Sequence, residues 1–227
     1  MRSELRPKGL EVVTVALDVG GVEAAGKFID RANAQHPSLI DEQHLLDELF
    51  GVVNVPSGIW IDEDGVIVRP PGPAWPGRAV FRDFMPKEIP EDGDPWVIKA
   101  LRLTERIPTH PDRYLAALRD WVDHGSDSLF ALSPDEVVER SRPRGREAAT
   151  AAAHFELGQH LHRAGHPDDA VPHFREAHRL EPDNWTYKRQ AWTFAHPLQM
   201  PNDVYEGDWA GDVEKIGPEN YYPPSDI

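Results

Sequence analysis

The sequence predicts an α/β unit at the N-terminus followed by an all-α region. Three observations carry this expectation. A β-branched and aliphatic run at Leu10–Asp18 leads through Gly20-Gly21 into a helical pattern, and a strand–turn–strand pattern brackets Glu63-Asp64-Gly65. From Tyr114 onward, apolar residues recur at helical spacing instead.

The elements follow in order. In Leu10–Asp18 only Glu11 and Thr14 offer anything to water, so the segment reads as a strand buried on both faces. Residues 23–33 then place Ala25, Phe28, Ile29 and Ala32 on one helical face, and His36-Pro37 ends the pattern. A short strand at Ser38-Leu39-Ile40 leads to Asp41, read as an N-cap, and to a helix whose apolar face is Leu45, Leu46, Leu49 and Phe50. Gly51 closes that helix. Residues 58–62 and 66–69 flank a tight turn, which makes the expected sheet mixed.

Nine prolines between Pro70 and Pro111 mark a connection made of loops and short helices, so the first unit is placed at residues 1–72 and the connection at 73–111. Within it, Asp94-Pro95 opens a short helix through about residue 104. Tyr114, Leu115, Leu118 and Trp121 mark an amphipathic helix, and Ser133-Pro134-Asp135-Glu136 has the form of a capping box. A helical region is expected over 112–197, followed by an aromatic-rich tail at 198–227 whose Tyr205, Trp209, Tyr221 and Tyr222 suit packing on the helices.

Composition narrows the function classes. The 227 residues carry 24 Lys and Arg against 39 Asp and Glu, a net charge of −15, which disfavours nucleic acid and anionic membrane as partners. No apolar run reaches the roughly 18–20 residues of a membrane span, so the chain as written is expected to be soluble and cytoplasmic; a longer chain could carry an address. The absence of cysteine excludes disulfides, thiolate metal sites and thiol catalysis by these residues.

The stretch Asn54-Val55-Pro56-Ser57-Gly58-Ile59-Trp60-Ile61-Asp62-Glu63-Asp64-Gly65-Val66-Ile67-Val68 resembles the second half of a thioredoxin-like domain of the ResA/TlpA type. The upstream order of strand, helix, Leu39-Ile40-Asp41 and helix matches as well. The resemblance implies that Pro56 is a cis proline and that Val55, Pro56 and Ser57 form the groove for a thiol-containing substrate. The alternative is a trans proline at the start of an edge strand.

In that family a Trp-Cys-x-x-Cys motif precedes a helix reading much like Arg-x-Glu-Leu-x-Pro, which Arg2-Ser3-Glu4-Leu5-Arg6-Pro7 matches. The resemblance therefore implies that no catalytic residue lies in this chain and that the nucleophile is encoded upstream of Met1. Some members carry Trp-Ala-x-x-selenocysteine-Gly-Cys there. The strand that bears the motif would lie between those at 10–18 and 57–62, so the two are expected about 10 Å apart rather than paired, given roughly 4.8 Å between neighbouring strands. The competing expectation is a cysteine-free domain that keeps the fold for binding.

A second resemblance lies downstream. Leu157-Gly158, Ala170, Phe174, Ala177 and Pro182 occupy the signature places of a tetratricopeptide repeat over 151–184. Gly158 and Ala170 are small where two helices approach, and Leu157, Leu161, Phe174 and Ala177 fill the seam. His154 departs from the pattern, and Pro172 suits it only if the second helix starts near Asp168. Ala148–Ala153 and Trp185–Ala195 are expected to flank the repeat. The resemblance implies a protein partner.

Other constellations carry less. His162 and His166 have i, i+4 metal spacing, but Gly165 ends the helix between them, so a solvated face is the reading and no metal or cofactor is expected. Asp62, Glu63 and Asp64 fit a hairpin turn better than a calcium loop. The functional expectation is a thiol-disulfide oxidoreductase or redoxin in full-length form, acting on a thiol, disulfide or peroxide; the alternative is a non-enzymatic adaptor.

Overall fold

The computed structural model describes residues 1–77, 85–141 and 145–227. The expected order of an α/β part and a helical part is present. The chain opens with α1 (Arg2–Leu5), then β1 (Thr14–Leu17), α2 (Gly21–Ala32), β2 (Ser38–Asp41), α3 (Leu45–Phe50) and the hairpin β3 (Ser57–Ile61) and β4 (Ile67–Pro73). Helices follow: α4 (Pro95–Arg106), α5 (Pro111–His124), α6 (Pro134–Arg140), α7 (Arg146–Arg163), α8 (Pro167–Leu180), α9 (Trp185–Ala195) and α10 (Trp209–Ile216).

The single mixed sheet is not observed among the described residues. β1 pairs in parallel with β2, from Thr14 opposite Ser38 to Leu17 opposite Asp41. β3 pairs antiparallel with β4, from Ser57 opposite Pro73 to Ile61 opposite Ile67. These are two separate two-stranded sheets, and β1 is not hydrogen-bonded to β3.

That separation corrects the burial expected of β1. No residue of Thr14–Leu17 is buried, because the strand has a neighbour on one side only. The α2 face is affected too: Ala25 is buried, whereas Phe28 is 60% exposed.

The apolar face expected of α3 is covered only in part, with Leu46 and Phe50 half-buried. Leu45 and Leu49 are exposed, the latter at 68%, while Asp47 is buried at 2%. Asp41 still anchors the turn, its carboxylate accepting the Leu46 N–H at 2.7 Å and the Gln43 N–H at 3.2 Å. It does so from ahead of the helix, since His44 holds the N-cap position with a left-handed backbone.

The turn between β3 and β4 forms as its residues dictate. Asp62 Oδ1 accepts the N–H groups of Asp64 and Val66, at 3.0 and 2.8 Å, and Gly65 supplies the positive φ of 81°. β4 runs on through Pro70 and Pro71 to Pro73, where loop was expected; it is an edge strand, so the missing N–H groups remove no ladder bond on its outer side.

Two cores hold the chain. In one, α5 lays Ala117 and Leu118 across the hairpin and over Leu5 of α1. Trp60 is its centre, stacked on Trp121 at 5.0 Å and donating its indole N–H to the Tyr114 hydroxyl at 3.1 Å. The other core joins α4, α7, α8, α9, α10 and the tail through Leu103, Phe155, Phe174, Trp192, Val213 and Tyr221. Local signals place the entries of the helices: Asp94 accepts from the Trp96 and Val97 N–H groups, and Ser133 with Glu136 closes a capping box.

Candidate functional site

The segment between α3 and β3 is one of the places where the two parts of the chain meet. The first two N–H groups of α9 lack helical acceptors, and both reach the Val53 carbonyl, Trp185 at 2.7 Å and Thr186 at 3.3 Å. Asn54 is buried beside them. Its Nδ2 donates to the Tyr221 carbonyl at 2.8 Å, and its Oδ1 accepts the Val55 N–H at 2.9 Å.

The Val55–Pro56 bond is cis. Around it the backbone groups are engaged within the chain: the Val55 carbonyl accepts the Tyr222 hydroxyl at 3.0 Å, and the Pro56 carbonyl accepts the Ala74 N–H at 3.3 Å. Ser57 donates its hydroxyl to the Gly72 carbonyl at 3.2 Å. The Pro56 ring itself is exposed and borders a cleft of about 230 Å³ whose far wall is Tyr222 and Pro223. Burial raises the Tyr222 phenol well above its ordinary pKa, with Tyr221 adding to the shift, so it stays a donor.

On the other side of the same segment lies a second cleft of about 200 Å³, between the end of β1 and α9. His44 is 4% exposed there; its Nδ1 lies 3.0 Å from Asp47 Oδ2 and its Nε2 lies 3.3 Å from the Gln190 amide. Phe155 meets the His44 ring edge-on at 5.3 Å. Arg189, one position before Gln190 on α9, also lines the cleft, and its Nε is buried without a hydrogen-bond acceptor.

Beyond this seam, α7 and α8 form an antiparallel hairpin. A Cβ on Gly158 would stand 3.0 Å from the Phe174 ring, so any larger residue makes the ring give by a few tenths of an ångström. Ala170, Phe174 and Ala177 are fully buried. The tetratricopeptide repeat family model matches residues 151–184. The hairpin is similar to a tetratricopeptide repeat over those residues. No curated protein and no solved structure matches the chain.

Two details of the repeat differ from expectation. Leu157 is 42% exposed; the inward positions of its turn are taken by Phe155, Gly158 and Gln159. The second helix starts at Pro167, so Pro172 lies inside it and not among the first unpaired donors. Pro172 and Asp168, whose carbonyl loses that donor, are both exposed, where water can serve the carbonyl. Ala148 and Ala151 are buried within the first helix of the hairpin, and α9 follows as the third helix.

The repeat's histidines take separate roles. His154 and His173 face each other across the hairpin with Nδ1 atoms 2.9 Å apart, and His162 stacks on Phe194 at 3.8 Å. His166 lies outside that helix, at the head of α8, so the i, i+4 pair is not on one helix face. His178 donates Nε2–H to the Tyr187 carbonyl at 3.2 Å, and burial holds its pKa down to about 4. Among the described residues there is no group of three or more side chains that could hold a metal ion, and no helix long and apolar enough to cross a membrane.

Sequence reading singled out Val55, Pro56 and Ser57 but missed His44, Asp47, Arg189 and Gln190. The i, i+3 spacing of His44 and Asp47 was the available signal. Nothing local pairs them with α9, which lies more than a hundred residues away.

Proposed function

We propose that this chain is a protein-binding scaffold in which the tetratricopeptide hairpin recruits a partner and the α/β part serves a thioredoxin-like thiol-disulfide oxidoreductase of the ResA/TlpA type. The observation that carries the reading is the separation of β1 and β3 into two sheets, β1 paired with β2 alone and β3 with β4 alone. A strand seated between them would complete one sheet and bring its C-terminal end beside Asp18 and the Val55–Pro56 segment. In this reading that strand carries the cysteine or selenocysteine and precedes Met1.

The chemistry would then divide. A thiolate or selenolate attacks a disulfide or peroxide, while Val55, Pro56 and Ser57 shape the groove that holds the substrate. The 227 residues supply no such nucleophile. The chain alone should therefore be inert in insulin-reduction and peroxidase assays, and turnover would contradict the reading. Translation of the upstream DNA through any in-frame stop codon should give an apolar strand followed by a cysteine or selenocysteine; an upstream sequence with neither removes the redox part.

One observation favours a second reading, a non-enzymatic adaptor: the Val55 carbonyl, which would face a substrate, is already taken by the Tyr222 hydroxyl. Partner capture separates the two readings. An adaptor retains its partner equally with and without reductant, whereas an oxidoreductase extended by its redox strand gives adducts that reductant releases.

A further inference from the structure

We propose that the cleft between the end of β1 and α9 binds a small monocarboxylate, held by the Arg189 guanidinium. The first reason is a buried donor without an acceptor. Buried arginine donors are costly to leave unpaired, yet Arg189 Nε has no acceptor, and among the described residues no carboxylate forms an ion pair with this side chain.

The second reason is the shape and chemistry of the space Arg189 faces. The cleft measures about 200 Å³, enough for a short acid and too small for a folded segment. Successive turns of α9 present Trp185, Arg189 and Thr193 to it, and exposed Thr193 marks the mouth. Leu17, Val55 and Trp185 supply apolar wall for a hydrocarbon body, and Gln190 also lines the cleft.

Charge selects the head group. A guanidinium fork matches the two oxygens of a carboxylate. Asp18 lies on the opposite wall, its Oδ1 accepting the Gly20 N–H at 2.8 Å, and the chain carries a net charge of −15. Both penalise a dianion such as phosphate more than a single carboxylate. His44 is held in place by Asp47 and Gln190 and serves as a fixed polar wall. This site requires no nucleophile and does not rest on the redox reading.

The test is a titration of the isotopically labelled 227-residue chain with sodium butyrate, followed by amide chemical shifts, with butyramide and inorganic phosphate as controls. Saturable shifts are expected at Leu17, Asp18, Val55, Gln190 and Thr193 with butyrate alone. Arg189→Gln should weaken binding by about ten- to hundredfold, and Arg189→Lys, which keeps the charge and loses the fork, should weaken it less. Unchanged spectra of the two variants outside the cleft verify the fold. The proposal is overturned by absence of saturable shifts, by equal affinity for phosphate or butyramide, or by butyrate affinity unchanged in Arg189→Gln.

Discussion

The Tyr222 hydroxyl donates to the Val55 carbonyl at 3.0 Å, so the C-terminal tail closes over the segment that leads into β3. The contact does not stand alone. Asn54 holds the Tyr221 carbonyl, Asp226 pairs with Arg69 and Arg140, and Ile227 is buried in the core centred on Trp60. The tail thereby links the β3–β4 hairpin to the helices.

Tyr222→Phe removes one neutral hydrogen bond and keeps the ring against Trp75. The expected cost is about 1 kcal/mol, which for a chain of this size lowers Tm by roughly 2–4 °C. Thermal unfolding followed by circular dichroism reads it. A loss several times larger would mean that the hydroxyl organises more than the Val55 carbonyl.

Gly158 and Phe174 test the repeat. Gly158→Val sets side-chain atoms against a ring already at the limit of approach, and overpacking of this kind costs about 1–3 kcal/mol. Phe174→Ala empties the same seam and should cost about 3–5 kcal/mol. The double variant should cost less than the sum, because the smaller residue makes room for the larger one. Urea unfolding of the four proteins measures the coupling, and strict additivity would contradict contact between the two positions.

His178 gives the pH dependence. Burial depresses its pKa from 6.5 to about 4, Lys188 adds to the depression, and the Tyr187 carbonyl and Asp212 partly oppose it. The folded state therefore holds the ring neutral, while the unfolded chain takes up a proton below pH 6.5. The stabilisation is complete above pH 6.5 and is lost as pH falls toward about 4, by a total on the order of 3 kcal/mol. His178→Gln should flatten the stability profile across that window. A variant profile parallel to that of the parent chain would contradict the assignment.

Local chemistry made much of this fold legible. The Asp62 turn, the Asp94 cap and the Ser133–Glu136 box each satisfy donors within four residues, so the sequence around them is sufficient. The repeat was legible because Gly158, Ala170, Phe174 and Ala177 must be small or apolar where two helices touch. The faces of β1 and α3 were not. Periodicity gives the spacing of apolar residues, but burial is decided by what packs on them. Asp47 is inside because it pairs with His44, which in turn meets Gln190 of α9, and Leu49 is outside because nothing among the described residues covers it. The candidate site divides in the same way: Val55–Ser57 lies in register with a legible hairpin, whereas Arg189 meets β1 only through the tertiary fold.

Hydrogen exchange at β1 tests the open edge most directly. Thr14 and Asp18 donate toward the β2 side, to the Pro37 and Asp41 carbonyls, so alternation turns the Val15 and Leu17 amides toward the edge away from β2. The 227-residue chain should exchange Val15 and Leu17 much faster than Ala16, and a chain extended upstream through its reading frame should protect them. Val15 and Leu17 amides as protected as Ala16 in the 227-residue chain would show that the edge is already filled and that no strand is awaited there.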